Sequence, residues 1–211
     1  MPPAITTNAR LILASKSPRR AALLREAGFI FEQMAPRFDD PPTPRGDGRQ
    51  TAEDLAGELA MCKARSLTGV VQSDRLLLAA DTICVSAAGE LIGQPSSRTH
   101  ARQMIRSFIN EAHDVVTGVA LLNDAEGQTM CFAETAVVTF GEVTDAQLDA
   151  YLDTQQWHGK AGGYNLFDRQ RDGWPITVEG DAATVVGLPM QRLTRLLPQL
   201  GVKPRTALAR S

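Results

Sequence analysis

Charge stands in a few places along this chain where an ordinary apolar pattern would exclude it. The first is Ser15-Lys16-Ser17-Pro18-Arg19-Arg20, directly after the apolar run Leu11-Ile12-Leu13-Ala14. Serine followed by proline is a helix-start signal, and a helix N-terminus offers unpaired N–H groups and partial positive charge that suit phosphate. The hydroxyls of Ser15 and Ser17 add donors, and Arg19 and Arg20 can fork onto phosphate oxygens. The plain alternative is a capped helix with solvated arginines. The second is Asp81, a lone acid inside Leu76–Val85. A carboxylate among apolar residues is costly unless it is paired or holds a metal, so Asp81 is a candidate for Mg²⁺ binding or for activating a water. Its structural alternative is an acid paired with an arginine or a backbone amide.

Lys63 lies one helical turn past Leu59, where it either snorkels or points at an anion. Asp39 and Asp40, in a proline-rich stretch, are solvent-facing acids or partners of Asp81 around a hydrated metal. Gly159-Lys160-Ala161-Gly162-Gly163-Tyr164 combines backbone that can approach a ligand closely with one cation, or is simply a turn.

The elements that must position these groups follow from periodicity. Leu11–Ala14 reads as a buried strand, then a helix from Pro18 ended by Gly28, then a strand from Phe29 to Met34. Four prolines and two glycines over 36–50 predict a surface loop. Thr51-Ala-Glu-Asp54 opens a helix carrying Leu55, Leu59, Cys62 and Leu67. Strands follow at Leu76–Val85, Val115–Leu122, Met130–Phe140 (half-exposed, by its alternation) and Pro175–Val178. Helices are predicted over His100–Ile109, Asp145–Leu152 and Leu188–Leu197, and Gly187-Leu188-Pro189 reads as a plain helix-start turn. Strands alternating with helices, plus a hairpin signal in the middle, predict an α/β fold with a mixed sheet. The 211 residues suit one domain over 1–211, with loose tails at 1–8 and 203–211.

Composition narrows the partners. A formal charge of −2 gives no global field toward nucleic acid or acidic membranes, and the basic residues cluster only around Lys16 to Arg25, which suits a small anion. Apolar runs are too short to span a bilayer and no signal segment is visible, so a cytoplasmic protein is expected. Cys62, Cys84 and Cys131 have apolar neighbours and read as reduced core thiols. His100 and His113 have no partner at metal-like spacing, His158 reads as a surface residue, and neither a P-loop nor a GxGxxG motif is present.

Taken together, Leu13-Ala-Ser-Lys-Ser-Pro-Arg-Arg20, Ala79-Ala-Asp-Thr-Ile-Cys-Val85, His113-Asp-Val-Val-Thr-Gly-Val119, Gly159-Lys-Ala-Gly-Gly-Tyr164 and Val185-Val-Gly-Leu-Pro189 resemble the Maf family of nucleotide pyrophosphatases, over roughly Leu11 to Leu197. The resemblance implies two lobes around a cleft, related to the inosine-triphosphate pyrophosphatase architecture. It also implies hydrolysis of a non-standard or pyrimidine nucleoside triphosphate (dTTP, UTP or a modified nucleotide) to monophosphate and pyrophosphate with Mg²⁺, or Mn²⁺ in its place, and allows a homodimer. On this resemblance Asp81 is the catalytic acid, as base or metal ligand. Ser15, Ser17, Arg19, Arg20, Lys63 and Lys160 are the phosphate and nucleotide contacts. Three positions depart from the family pattern. Gln94 of Gly93-Gln94-Pro95 replaces a lysine and remains a substrate contact with polar reach but no charge. Asp40 replaces a loop glutamate and would hold the metal with Asp81, and Phe167 replaces the glutamine of Tyr-x-Ile-Gln that helps read a pyrimidine base. Arg19 matches the branch acting on dTTP and UTP. A 7-methyl-GTP pyrophosphatase, a non-catalytic nucleotide-binding regulator of cell division and a monophosphate phosphatase are the rival readings.

Overall fold

Strand β1 (Leu11–Ala14) is buried along its whole length because both of its faces are covered, which is why it reads as an unbroken apolar run. Leu11 and Leu13 pack with Ala21 and Leu24 of helix α1 (Pro18–Glu26) and with Leu193 and Leu197 of the last helix, α7 (Met190–Gln199). Ile12 and Ala14 meet Ala60 and Ala64 of α2 (Ala52–Arg65) on the opposite face. The computed structural model describes residues 10–39, 51–123 and 125–205. Of the predicted loop over 36–50 only 36–39 fall within that set, and the predicted tails fall largely outside it.

One sheet of seven strands organises the molecule. The order is β2 (Phe31–Met34), β1, β3 (Leu76–Val85), β5 (Ala112–Asn123), β6 (Gln128–Phe140) and β7 (Ile176–Glu179), with the two-residue β4 (Leu91–Ile92) beside β3. β1 runs parallel to both β2 and β3, whereas β3, β5, β6 and β7 pair antiparallel in succession. The sheet is mixed, as the alternation of elements and the central hairpin predict.

Two groups of helices cover different parts of this sheet. Around its β1 end sit α1 and α7, while α2 lies across β3, β5 and β6 on the opposite face. Around the other end, α3 (Arg98–Arg106) and α4 (Asp145–Asp153) enclose a second core of Ile105, Phe108, Phe140, Leu148, Tyr151 and Trp174. The 3₁₀ turn Ala161–Gly163 and helices α5 (Leu166–Arg171) and α6 (Ala182–Val186) complete the chain.

Several boundaries differ from the sequence reading. α3 begins at Arg98 because the Ser97 hydroxyl accepts from the His100 amide and caps it there, two residues before the first predicted helical residue. β4, α5 and α6 leave no mark in the sequence, since two, six and five residues are too few to show a period. Cys131 is exposed, not a core thiol, because it lies on the part of β6 that reaches past β7; its Sγ donates to the Gly57 carbonyl at 3.4 Å. No helix among the described residues is long and apolar enough to cross a membrane.

Candidate functional site

The unequal lengths of neighbouring strands create the site. β1 pairs with β3 only through Leu76, Leu77 and Leu78, and β4 takes up the same edge at Cys84 and Val85. Between them, Ala79 to Ile83 have no strand partner on that edge among the described residues, so the sheet carries a slot there. The carboxyl end of β1 faces this slot and passes directly into α1. Loops leaving such strand ends are where ligands bind in open α/β sheets.

Asp81 sits in the middle of the slot. Alternation along β3 sends Leu77, Ala79 and Ile83 into the cores beneath α2, and Asp81 shares their face. There Lys63 Nζ donates to Asp81 Oδ1 at 2.5 Å, with the two side chains 7% and 13% exposed. Helix α2 can lie this low because Gly118, the cross-strand partner of Asp81, has no side chain. A Cβ at Gly118 would stand 2.2 Å from the Ala56 carbonyl carbon. Ala56 and Lys63 are seven residues apart, two helical turns along one face, so the Gly118 contact sets where Lys63 arrives.

The loop between β1 and α1 forms one rim. Ser15 Oγ accepts from the Ser17 amide at 3.1 Å, and Ser17 caps α1 by accepting from the Arg20 amide at 3.4 Å. Gln33, in β2, clamps this loop by donating to the Ser15 carbonyl at 2.9 Å. It has no signal in the sequence, because a neutral amide in a strand looks like any surface residue.

The two arginines do different things. Arg20 donates from Nε to the Gly187 carbonyl at 2.9 Å, from Nη2 to Thr82 at 3.0 Å and from Nη1 to Ser15 at 3.4 Å. Thr82 in turn meets Thr117, whose hydroxyl donates to the Thr184 carbonyl at 2.8 Å. Arg20 therefore ties α1, β3 and the α6–α7 turn together, so Gly187 does more than start a helix. Arg19 makes no hydrogen bond or ion pair with the described residues, yet it is partly buried. Burial holds its pKa below the usual guanidinium value, with the charge of Asp168 partly offsetting this. A desolvated cation without a fixed partner is an anion site in waiting.

The opposite rim comes from the second group of elements. The Gly162 amide donates to the Gly93 carbonyl at 3.1 Å, which brings Lys160 and Gln94 onto one wall. Gly162 adopts a φ of 72°, and a Cβ there would meet Cys84 Sγ at 3.2 Å, so this bend excludes side chains. Lys160 donates to the Gln156 carbonyl. Burial, and next the charge of Arg19, holds its pKa below the usual lysine value. Tyr164 anchors the segment from below, its hydroxyl 2.8 Å from His113 Nε2, with the His113 ring stacked on Phe108 at 3.9 Å. Burial lowers His113 to about 4, so it is a neutral core imidazole. His158 is exposed and stacks on Trp157.

Ser15, Ser17, Arg19, Arg20, Lys63, Asp81, Gln94 and Lys160 thus line one cavity of about 390 Å³, a volume in the range of small-molecule sites. Its wall carries five cationic side chains, Lys16 included, against the two carboxylates Asp39 and Asp81. A chain of net charge −2 has concentrated positive charge around one acid. Phe167 lies outside this lining and is 44% exposed. Asp40 lies outside the described residues, and among those described no group of three or more His, Cys, Asp or Glu could hold a metal. One buried acid among cations suits a small polyanion, and an Mg²⁺ ion takes only one or two protein carboxylates when phosphates supply its other ligands.

The chain is similar to known proteins over most of its length. A protein of Rhodopirellula baltica named dTTP/UTP pyrophosphatase is 38% identical over 188 residues, covering 89% of this chain and 80% of the relative. One of Salinibacter ruber with the same name is 36% identical, covering 93% and 94%. Another of Bacillus anthracis, again so named, is 35% identical, covering 92% and 96%. The sequence pattern described as Maf-like protein matches residues 10–200, and the chain belongs to the Maf family.

Proposed function

We propose that this protein is a nucleoside triphosphate pyrophosphatase acting on dTTP and UTP in the cytoplasm, releasing pyrophosphate and the nucleoside monophosphate. The observation that carries the reading is the buried Lys63–Asp81 pair at the base of a cavity rimmed by Arg19, Arg20, Lys16 and Lys160. The names of the relatives support the choice of pyrimidine triphosphates.

In this reading Asp81 takes a proton from water as the water oxygen attacks the α-phosphorus. The bond from that phosphorus to the oxygen bridging toward the β-phosphorus breaks, and pyrophosphate leaves. Lys63 holds the carboxylate in place through its hydrogen bond to Oδ1. Arg19 and Lys160 face the phosphates with charge that burial has made poorly solvated, so they favour the leaving group as its charge grows. Arg20 holds the loop in shape and lends its charge to the rim. Asp81, with Asp40, would hold Mg²⁺ or Mn²⁺ carried in on the triphosphate, and the metal would supply neutralisation of phosphate charge. A homodimer belongs to the same proposal and is read by light scattering.

The test is a panel of triphosphates with Mg²⁺, scored separately for pyrophosphate and orthophosphate, with and without chelator. Pyrophosphate from dTTP and UTP, lost on chelation and lost in Asp81→Asn, is the expected result. Orthophosphate as the sole product, or 7-methyl-GTP turned over far faster than dTTP and UTP, would overturn it.

A further inference from the structure

Asn165 lines the cavity two residues before Phe167 and stands at the start of α5 without capping it. Asparagine at such a position ordinarily turns its oxygen onto the helix amides. Here Nδ2 donates instead to Asp168 Oδ2 at 2.6 Å, and the other Asp168 oxygen accepts from Arg171 at 2.7 Å. A carboxylate oxygen only accepts, so the amide nitrogen must be the atom facing Asp168, and the orientation of the amide is fixed. Its other end, Oδ1, is buried and has no hydrogen-bond partner among the described residues. An acceptor left in that state is unfavourable for the empty protein, and a ligand that displaces the groups covering it and brings a donor gains the missing bond.

Phosphate oxygens bring no donor, so this carbonyl cannot serve the triphosphate. We propose that Asn165, locked by Asp168, reads the Watson–Crick edge of a 4-oxo pyrimidine, the role the family resemblance would give to residue 167. Uracil and thymine present an N3–H donor flanked by carbonyl acceptors. The fixed amide offers the complement, Oδ1 to accept from N3–H and the second Nδ2–H to donate to the C4 carbonyl, the one group at which cytosine carries an amino donor instead. Cytosine presents the reverse, an N3 acceptor beside an amino donor, and would need the amide turned over. Asp168 prevents that turn, so discrimination comes from a held orientation as well as from contact. Phe167, outside the cavity, takes no part in reading the base.

The inference rests on the triphosphate reading of the cavity, so the test separates the two. Affinities for α,β-methylene UTP and α,β-methylene CTP are measured by calorimetry, and pyrophosphate release from UTP and CTP is followed in parallel. The wild-type protein should bind the uridine analogue about ten-fold or more tighter, the scale for a site that leaves a buried polar group unpaired with the wrong ligand. Asn165→Ala should bring the affinity ratio toward one. Asp168→Asn should do the same while Asn165 stays in place, because its amide is then free to turn. Asp168 also acts on Arg19 and Lys160 through its charge, but that effect falls equally on both analogues and cancels in the ratio. A ratio near one in the wild type, or a ratio unchanged in Asn165→Ala, overturns the proposal. So does an equal loss of both analogues in that variant, which would assign Oδ1 to a sugar hydroxyl. If the ratio behaves as described but no pyrophosphate appears, base recognition stands and the hydrolytic reading falls.

Discussion

Removing the cation of the buried pair should cost stability before it costs anything else. Lys63→Met keeps the length of the side chain and its apolar stem but leaves Asp81 charged in a site where its side chain is 13% exposed. Breaking a fully buried pair from one side costs about 3–5 kcal/mol, because the remaining charge loses its compensation. The cavity beside Asp81 admits some solvent, so about 2–3 kcal/mol is the expected loss. For a domain of this size, each kcal/mol lowers Tm by about 2–4 °C, giving a fall of about 4–12 °C. Asp81→Asn should destabilise from the other side, by removing the carboxylate that faces the Lys63 ammonium at 2.5 Å. The double variant removes both charges and should recover much of the loss, a coupling of about 2 kcal/mol in a double-mutant cycle. Thermal and urea unfolding of the four proteins measure it. Activity should be lost in all three variants, so stability and turnover should separate in the double variant. A cost under about 0.5 kcal/mol for Lys63→Met would show that the pair behaves as a solvated surface contact, and the account of the slot would fail with it.

The two arginines should also separate. Arg19→Ala should lower kcat/KM with little change in Tm, whereas Arg20→Ala should lose about 2–3 kcal/mol of stability, and Arg20→Lys should not restore it because an ammonium lacks the fork. Unfolding curves alongside pyrophosphate release decide this, and matching behaviour of the two variants would refute it. His113 titrates near 6.5 when unfolded and at about 4 in the fold, where burial favours the neutral ring. The unfolded chain therefore takes up a proton first as pH falls, and the contribution of His113 is complete above pH 6.5 and is lost on going down to 4. The gap corresponds to at most about 3 kcal/mol. His113→Phe should flatten the stability–pH curve in that window, and an unchanged curve would count against it. Gly118→Ala should drive α2 off the sheet and cost about 3 kcal/mol or more, with activity falling because Lys63 moves away. Unfolding midpoints and turnover of the variant check both.

Legibility in the sequence follows how far each residue's job is written in its neighbours. β3 and Asp81 are readable together, since a single charge among ten strand residues has to be paired or put to use. Lys63 is readable as lying near a buried helix face, but its partner is not, because pairing across 18 residues depends on how α2 lies on the sheet. Arg19 and Arg20 cannot be told apart by sequence, being adjacent and identical. Only the turn at Gly187, 167 residues from Arg20, makes one a structural tie and leaves the other without a hydrogen bond among the described residues. Asn165 carries no signal because what marks it is an acceptor with no donor among the described residues. Phe167 stands out as a departure in pattern, yet its side chain lies outside the cavity, so the change of residue type there leaves the lining as it is. The capping serine of α3 is present in Ser96-Ser97, and the periodicity of the residues that follow points two positions too late.

The slot that holds Asp81 has a mechanical meaning as well. β5 and β6 share a ladder running from Ala112 to Asn123, and β3 pairs with β5 from Leu77 to Val85, so one hairpin and its neighbour pass beneath both groups of helices. These strands act as a beam to which each rim is bolted. Swinging one rim away from the other about a hinge would require breaking ladder hydrogen bonds in the middle of the sheet, and only twist of the whole beam comes at low cost. The distance between the rim of Arg19 and the rim of Lys160 is therefore held by the stiffness of the sheet. A ligand meets a gap whose width was set during folding, and the accommodation left to it is in side chains and loops.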